Sequence, residues 1–282
     1  MTMRRSAPAS GAAPAGEPGP GGGAAPEPGS GPDVAERVEE LFIASGALRQ
    51  GHFKLKSGRH AERYLEKFQV LQYPEAVSEL CRYLAALALG PDGRRVDVVV
   101  GPTTGGVILA FEVARQLGVR GIFAEEIRDP DGTTRREFRR GFRLSEGERV
   151  LLVDDILTTG GSLLAMLPPI EAAGAELTLA AVLVDRSGGL QSVTSPVSGH
   201  AYPAAALWTL ELPTYEPGAT TCPGCAAGLP LEAPGSSGTA PHPPAASLVE
   251  GARAGHAGTG MPRAAAPDSQ TGGRPGSLGP SV

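Results

Sequence analysis

Apolar residues first fall into a helical rhythm at Val34, Val38, Leu41 and Phe42, with Asp33 placed to cap them and Gly46 to stop them, which predicts a short N-terminal helix. The next stretch, GHFKLKSGRHAERYLEKFQ (51–69), alternates in parts and turns at Ser57-Gly58, as a partly exposed hairpin or strand with a tight turn would. Residues 74–89 set Val77, Leu80, Leu84 and Leu87 on one face behind Pro74, the pattern of an amphipathic helix. From Val96 the rhythm becomes strand, glycine-rich turn, helix: an apolar run at 96–100, a turn at 101–106 and a helix to Leu117 and Gly118. A short strand at 119–124, a buried strand at 149–153, a second glycine-rich turn with a helix ending at Gly174, and a strand at 177–184 follow. Residues 207–212 suggest an edge strand. Near-continuous apolar strands alternating with helices predict an α/β fold, a mostly parallel sheet covered on both faces, with ligands beyond the carboxyl ends of its strands.

Composition sets the limits of that domain. Of 282 residues, 40 are Gly and 27 Pro, concentrated toward the ends. Residues 1–32 and 235–282 are Ala/Gly/Pro-rich segments with too little apolar surface to offset ordering, and are expected to be disordered tails. Residues 33–234 are expected to form one domain. The start MTMRR is not followed by an apolar stretch of signal-peptide length, and no segment approaches the roughly 20 apolar residues of a membrane span. A soluble, cytoplasmic protein is expected. A net charge of -5 argues against a general nucleic-acid binder. Positive charge is local: the three lysines, Lys54, Lys56 and Lys67, share one short stretch, and six arginines lie between Arg128 and Arg143. Cys222-Pro-Gly-Cys225 has the spacing of half a zinc site, but no second CxxC or paired histidine follows it, so it reads as a thiol pair in a loop.

The strongest chemical signal is Val150-Leu-Leu-Val-Asp154-Asp155-Ile-Leu-Thr158-Thr159-Gly160-Gly161-Ser162-Leu163. A buried strand brings two adjacent carboxylates to the sheet edge, where they can accept from a vicinal diol. Small hydroxyl and glycine residues then open a helix whose N–H groups favour a phosphate. The spacing suits a sugar phosphate held at both ends. This stretch resembles the phosphoribosyl-diphosphate signature of type I phosphoribosyltransferases. The resemblance implies that Asp154 and Asp155 hold the ribose hydroxyls and that Thr158, Thr159, Gly160, Gly161 and Ser162 cradle the 5-phosphate. The turn Gly101-Pro102-Thr103-Thr104-Gly105-Gly106 resembles the family's pyrophosphate loop, with Thr103 to Gly106 against the diphosphate.

Other segments resemble the orotate-specific members, a bacterial subgroup among them. Gly51 to Arg59 with Tyr64 is similar to their N-terminal segment, a small hood over the sheet. It implies that Lys56 reaches the diphosphate or orotate and that residues 64–68 lie against the pyrimidine; a solvated surface lysine is the alternative for Lys56. Val184-Asp185-Arg186-Ser187-Gly188-Gly189 is similar to the strand end whose arginine contacts orotate, a salt bridge of Arg186 with Asp185 being the alternative. The family's mobile lid, which reaches a neighbouring subunit's site, corresponds to residues 125–143. It lacks lysine here and has Glu126 where many relatives have a cation, leaving Arg128, Arg135 or Arg136 to face the leaving pyrophosphate. The resemblance thus implies a homodimer, Mg²⁺ held mainly by substrate oxygens, and transfer of ribose 5-phosphate from phosphoribosyl diphosphate to orotate in pyrimidine synthesis. Asp155, Lys56, Arg128 and Arg136 are the expected catalytic residues. A phosphoribosyltransferase for another base, or a non-catalytic sensor of phosphoribosyl diphosphate, are the alternatives.

Overall fold

The helix α1, Val34–Ala44, buries Val38, Leu41 and Phe42 and ends at Ser45, whose hydroxyl donates to the Phe42 carbonyl. It belongs to a computed structural model that describes residues 33–89 and 96–234; the tails expected at 1–32 and 235–282 lie outside the described residues. Next come the strands β1, Leu48–Lys54, and β2, His60–Leu65, an antiparallel pair forming a two-stranded sheet of its own. The turn between them is closed by Leu55 and Arg59 and contains Ser57-Gly58, as the sequence predicts. Two helices, α2 (Phe68–Leu71) and α3 (Pro74–Leu89), lead to the main sheet.

That sheet alternates strands and helices: β3 (Val98–Pro102), α4 (Gly105–Leu117), β4 (Arg120–Arg128), β5 (Thr134–Phe138), β6 (Arg149–Leu157), α5 (Gly161–Ala172), β7 (Glu176–Asp185), β8 (Ser192–Thr194) and β9 (Ala201–Thr209). Its seven strands run in the order β5-β4-β3-β6-β7-β9-β8. The five central strands pair in parallel, and β5 and β8 close the two edges antiparallel. Successive residues of a strand face opposite sides, so a strand covered on both sides must be apolar throughout. Val99, Leu151, Val153, Ala181 and Leu183 join the core built with α1, α3 and α4, while Val98, Val100, Val150, Leu152 and Val182 join the core built with α5 through Leu163, Met166, Leu167 and Ile170. This is the mostly parallel α/β architecture predicted from the apolar runs.

Three boundaries differ from the sequence reading. The strand expected at 119–124 continues to Arg128 and pairs with β5, so the arginine-rich stretch is a two-stranded ribbon rather than an irregular loop. Its turn, Asp129-Pro130-Asp131-Gly132, is closed by hydrogen bonds from Asp129 N–H to the Thr133 carbonyl and from Thr133 N–H to Asp131 Oδ1. The edge strand expected at 207–212 begins earlier, at Ala201, and is covered by β8. Pro203 lies opposite Ser192, and the parallel ladder with β7 starts only at Ala204, so proline's missing N–H removes no bond from it. The strand expected at 149–153 runs on to Leu157, carrying both aspartates within it.

Candidate active site

The connections of the parallel strands reverse direction between β3 and β6: from β3 the chain crosses to β4 on one side, and from β6 to β7 on the other. At such a reversal the loops leaving two adjacent strands diverge and open a crevice beyond their carboxyl ends. The two glycine-rich turns of the sequence are those two loops, Thr103–Thr104 after β3 and Thr158–Gly160 after β6.

Asp154 and Asp155 are both buried. Asp154 Oδ1 accepts the Asp155 N–H at 2.9 Å, and Asp155 Oδ1 accepts the Ile156 N–H at 2.7 Å. Asp155 Oδ1 also accepts from Lys67 Nζ at 2.8 Å, whereas Asp155 Oδ2 is buried with no hydrogen-bond partner among the described residues. Burial, then the like charge of Asp155, pushes Asp154 up to about 6, against the lowering influence of the Asp155 N–H, Ser162 and Lys67. The loop after β3 closes on this pair. A β-carbon at Gly105 would stand 1.8 Å from Asp155 Oδ2, so only glycine lets the loop backbone lie against the carboxylate. The Thr103–Thr104 peptide is cis. Thr158, Thr159 and Gly161 are exposed at the start of α5, and Gly160, left-handed at φ 80°, precedes its first turn. The sequence-predicted carboxylates, diphosphate loop and phosphate cradle therefore converge on one crevice.

The remaining predicted residues are placed less uniformly. Arg136, on β5, reaches the loop after β3, donating to the Thr103 carbonyl at 3.2 Å and to Thr103 Oγ1 at 3.0 Å. Its side chain is 9% exposed, with Glu126 Oε2 at 3.5 Å across the ribbon. Arg135 is instead held between Asp129 and Glu137, and Arg128 is exposed at the end of β4. Lys56 is exposed in the β1–β2 turn, and Tyr64 is half-buried with its ring 5.6 Å from that of Phe53. Arg186 is exposed at the end of β7 and is not the partner of Asp185. Asp185 accepts from Ser187 N–H and Oγ and from the N–H groups of Gly189 and Leu190. Although burial raises it, those bonds hold the Asp185 carboxyl below the usual range, and they curl the loop that displays Arg186.

Sequence reasoning missed Lys67 as the partner of Asp155. Its signal was the scarcity of lysine in an arginine-rich chain, which marks all three lysines as chosen for a flexible, compact charge. A cavity of about 680 Å³ lined by Phe138, Phe142, Leu164 and Pro168 lies elsewhere and contains neither aspartate.

A family model described as the phosphoribosyl transferase domain matches residues 69–200. The chain is 42% identical over 197 residues to the orotate phosphoribosyltransferase of Caldicellulosiruptor saccharolyticus, covering 70% of this chain and 94% of that one. It is 43% identical over 201 residues to the orotate phosphoribosyltransferase of Pelotomaculum thermopropionicum, covering 71% and 97%. The crystal structure of orotate phosphoribosyltransferase from Aeropyrum pernix superposes with a TM-score of 0.50 at 26% identity, over 61% of this chain and 93% of that one. A crevice at the strand reversal, walled by an Asp-Asp strand end, a glycine-rich loop and an open helix start, thus coincides with extensive sequence likeness, and the chain belongs to the orotate phosphoribosyltransferase family.

Proposed function

We infer that the protein transfers ribose 5-phosphate from phosphoribosyl diphosphate to orotate, giving orotidine 5-phosphate and pyrophosphate. The observation that carries this reading is the buried Asp154–Asp155 pair pressed against Gly105 beside the open start of α5. Two carboxylates there accept from the ribose 2- and 3-hydroxyls, and N–H groups of residues 159–162 with the hydroxyls of Thr158, Thr159 and Ser162 meet the 5-phosphate. Thr103 to Gly106 approach the diphosphate through backbone. Lys67 compensates the charge of Asp155 and brings a cation to the edge of the crevice.

Mg²⁺ fits this donor set. Asp154 and Asp155 are hard oxygen donors that would hold it, Asp155 Oδ2 being buried with no hydrogen-bond partner among the described residues; substrate oxygens and water would supply its remaining ligands. When bound, the ion supplies positive charge to the diphosphate and ribose oxygens. The side chains position and neutralise around the oxocarbenium-like ribose that forms as pyrophosphate departs. Arg136 brings positive charge to the diphosphate loop of its own subunit, and Arg128, exposed near the ribbon tip, is the cation suited to reach a neighbouring one. Lys56, Tyr64 and Arg186 are assigned to orotate, whose anionic, acceptor-rich ring suits a planar guanidinium.

A homodimer and a cytoplasmic location belong to the same reading. No helix of the described residues is long and apolar enough to cross a membrane. On α4, directly after the diphosphate loop, Phe111 is 69% exposed and Ile108 37%, apolar surface that a second copy would cover.

Loss of orotate absorbance on adding phosphoribosyl diphosphate and Mg²⁺ tests the activity. The intact chain should turn over, and Asp155→Asn should be slower by about 100-fold or more. Turnover with adenine, hypoxanthine or uracil in place of orotate would remove the base assignment; binding of phosphoribosyl diphosphate without turnover of any base would remove the enzymatic one.

A further inference from the structure

Outside the crevice, the described residues contain one group of four clustered metal-ligating side chains that the transfer reaction does not use: His52, His60, Cys222 and Cys225. We propose that these four hold a structural zinc ion in a closed tetrahedral Cys₂His₂ site that fastens the β1–β2 hairpin to the C-terminal part of the domain.

The histidines reach the site through an irregularity in the hairpin. Gln50 pairs with Arg63, but Phe53 pairs with Ala61, so two residues, Gly51 and His52, stand opposite the single Glu62. That extra residue offsets the alternation of β1 by one position, which turns His52 to the side of His60 instead of away from it. The cysteines reach it through α6, Pro223–Ala226, a single turn that Cys222 caps and that contains Cys225. Gly224 between them lies flat against the His52 ring, and a β-carbon there would come within 2.6 Å of two imidazole carbons. The glycine of the Cys-Pro-Gly-Cys turn is thus required by the histidine, although the two are far apart in the chain.

Three of the four close distances fall at the edges of a zinc tetrahedron, and only the two imidazole nitrogens, now at hydrogen-bond distance, would move apart by about half an ångström to admit the ion. His52 Nε2 lies 2.8 Å from His60 Nδ1, 3.4 Å from Cys222 Sγ and 3.5 Å from Cys225 Sγ; His60 Nδ1 lies 3.3 Å from Cys225 Sγ. All four ligand atoms fall within 4.8 Å of one another. Zinc with nitrogen at about 2.0 Å and sulfur at about 2.3 Å has ligand–ligand edges of roughly 3.3–3.8 Å. The His52 tautomer is fixed too. Its Nδ1 faces the Leu229 carbonyl at 3.0 Å, and a carbonyl only accepts, so Nδ1 carries the proton and Nε2 presents its lone pair to the cluster. Histidine ligands are commonly oriented in this way. Two thiolates with two imidazoles in a tetrahedral arrangement select zinc over harder cations such as Mg²⁺. Four protein ligands leave no open position, so the ion is structural.

The completing histidines stand before the cysteine pair in the chain, not after it. The hairpin and the C-terminal segment are already stitched by backbone: Lys54 N–H donates to the Glu232 carbonyl, Glu232 N–H to the His52 carbonyl, and His60 and Tyr215 exchange both bonds. Arg59 adds hydrogen bonds to Thr214 Oγ1 and its carbonyl. The two histidines bracket the turn that displays Lys56, so the ion would set the frame of that turn; this last clause alone rests on the function proposed above.

The full chain, purified without chelators and with its thiols reduced, should carry one equivalent of zinc by elemental analysis. Replacement by Co²⁺ should give the visible bands of a tetrahedral ion together with a thiolate-to-cobalt charge-transfer band. Cys222→Ser/Cys225→Ser should lose the metal, and Cys81→Ser, which alters the third cysteine outside the cluster, should keep it. Stripping the ion should speed proteolysis between residues 213 and 232 several-fold. A reduced chain that takes up neither zinc nor cobalt, a cobalt spectrum without the charge-transfer band, or metal retained by the double variant would overturn the site, whether or not orotate is turned over.

Discussion

At the scale of single residues, Asp154 sets stability against binding. Its carboxyl, raised to about 6 in the folded chain, ionises near 3.9 when unfolded. The contribution of this group to stability is therefore complete below about pH 4 and is lost as the pH rises through 6. The role proposed for it, acceptor of a ribose hydroxyl, has the opposite requirement. Asp154→Asn should accordingly raise the melting temperature at pH 7, by roughly 1–3 kcal/mol in stability, while cutting kcat/KM for phosphoribosyl diphosphate. In the unaltered enzyme kcat/KM should fall as the pH is lowered through about 6. A variant no more stable at pH 7 than at pH 4, relative to the parent, would refute the assignment. Gly105→Ala should disable the same site sterically, since the new methyl has no room beside Asp155, with the sheet otherwise folded by circular dichroism. The aspartates were legible in the sequence because strand, acids and helix start are contiguous. Lys67 was not, because its partner lies 88 residues away and nothing local to either residue specifies the other.

At the scale of elements, the β4–β5 ribbon carries Arg136 to the loop after β3, where the proposed function puts the diphosphate. Arg136→Ala should lower kcat/KM by about 10²–10³-fold, as loss of a single oriented donor to developing charge does elsewhere, and Arg135→Ala should matter far less because Arg135 is occupied by Asp129 and Glu137. Glu126 faces Arg136 across the ribbon but is 54% exposed, and such pairs contribute little. Glu126→Gln should change stability by less than about 1 kcal/mol in thermal melts. The parallel strands were readable because both of their faces are buried. The ribbon was not, because an edge strand whose residues are exposed or half-buried leaves no hydrophobic period to detect. Its Pro-Asp-Gly turn was the available signal. The bulge at Gly51-His52 had only the lone glycine as its mark, and the histidines lie 165–173 residues before the cysteines in contact with them, which is why the cysteine pair appeared to lack partners.

At the scale of the whole molecule, the proposed homodimer and the docking of the β1–β2 hairpin each turn on one surface, α4 for the dimer. Phe111→Glu should convert a dimer to a monomer by light scattering; an unchanged mass would remove α4 from the interface. Within the subunit, the hairpin meets its other half only at the far end of the domain: His52 bonds to Leu229, 177 residues later. At about 5–20 residues per second of synthesis, that separation is on the order of ten to thirty seconds. The parallel sheet can form in that interval, whereas the bonds from the hairpin to Leu229 and Glu232 cannot, so the crevice of Asp154 and Asp155 matures before the hairpin docks. Nascent chains released before Leu229 should therefore retain the sheet yet leave the hairpin undocked; on the function proposed above, late termination, rather than damage to the crevice, would then be a direct route to a folded chain that cannot select its base.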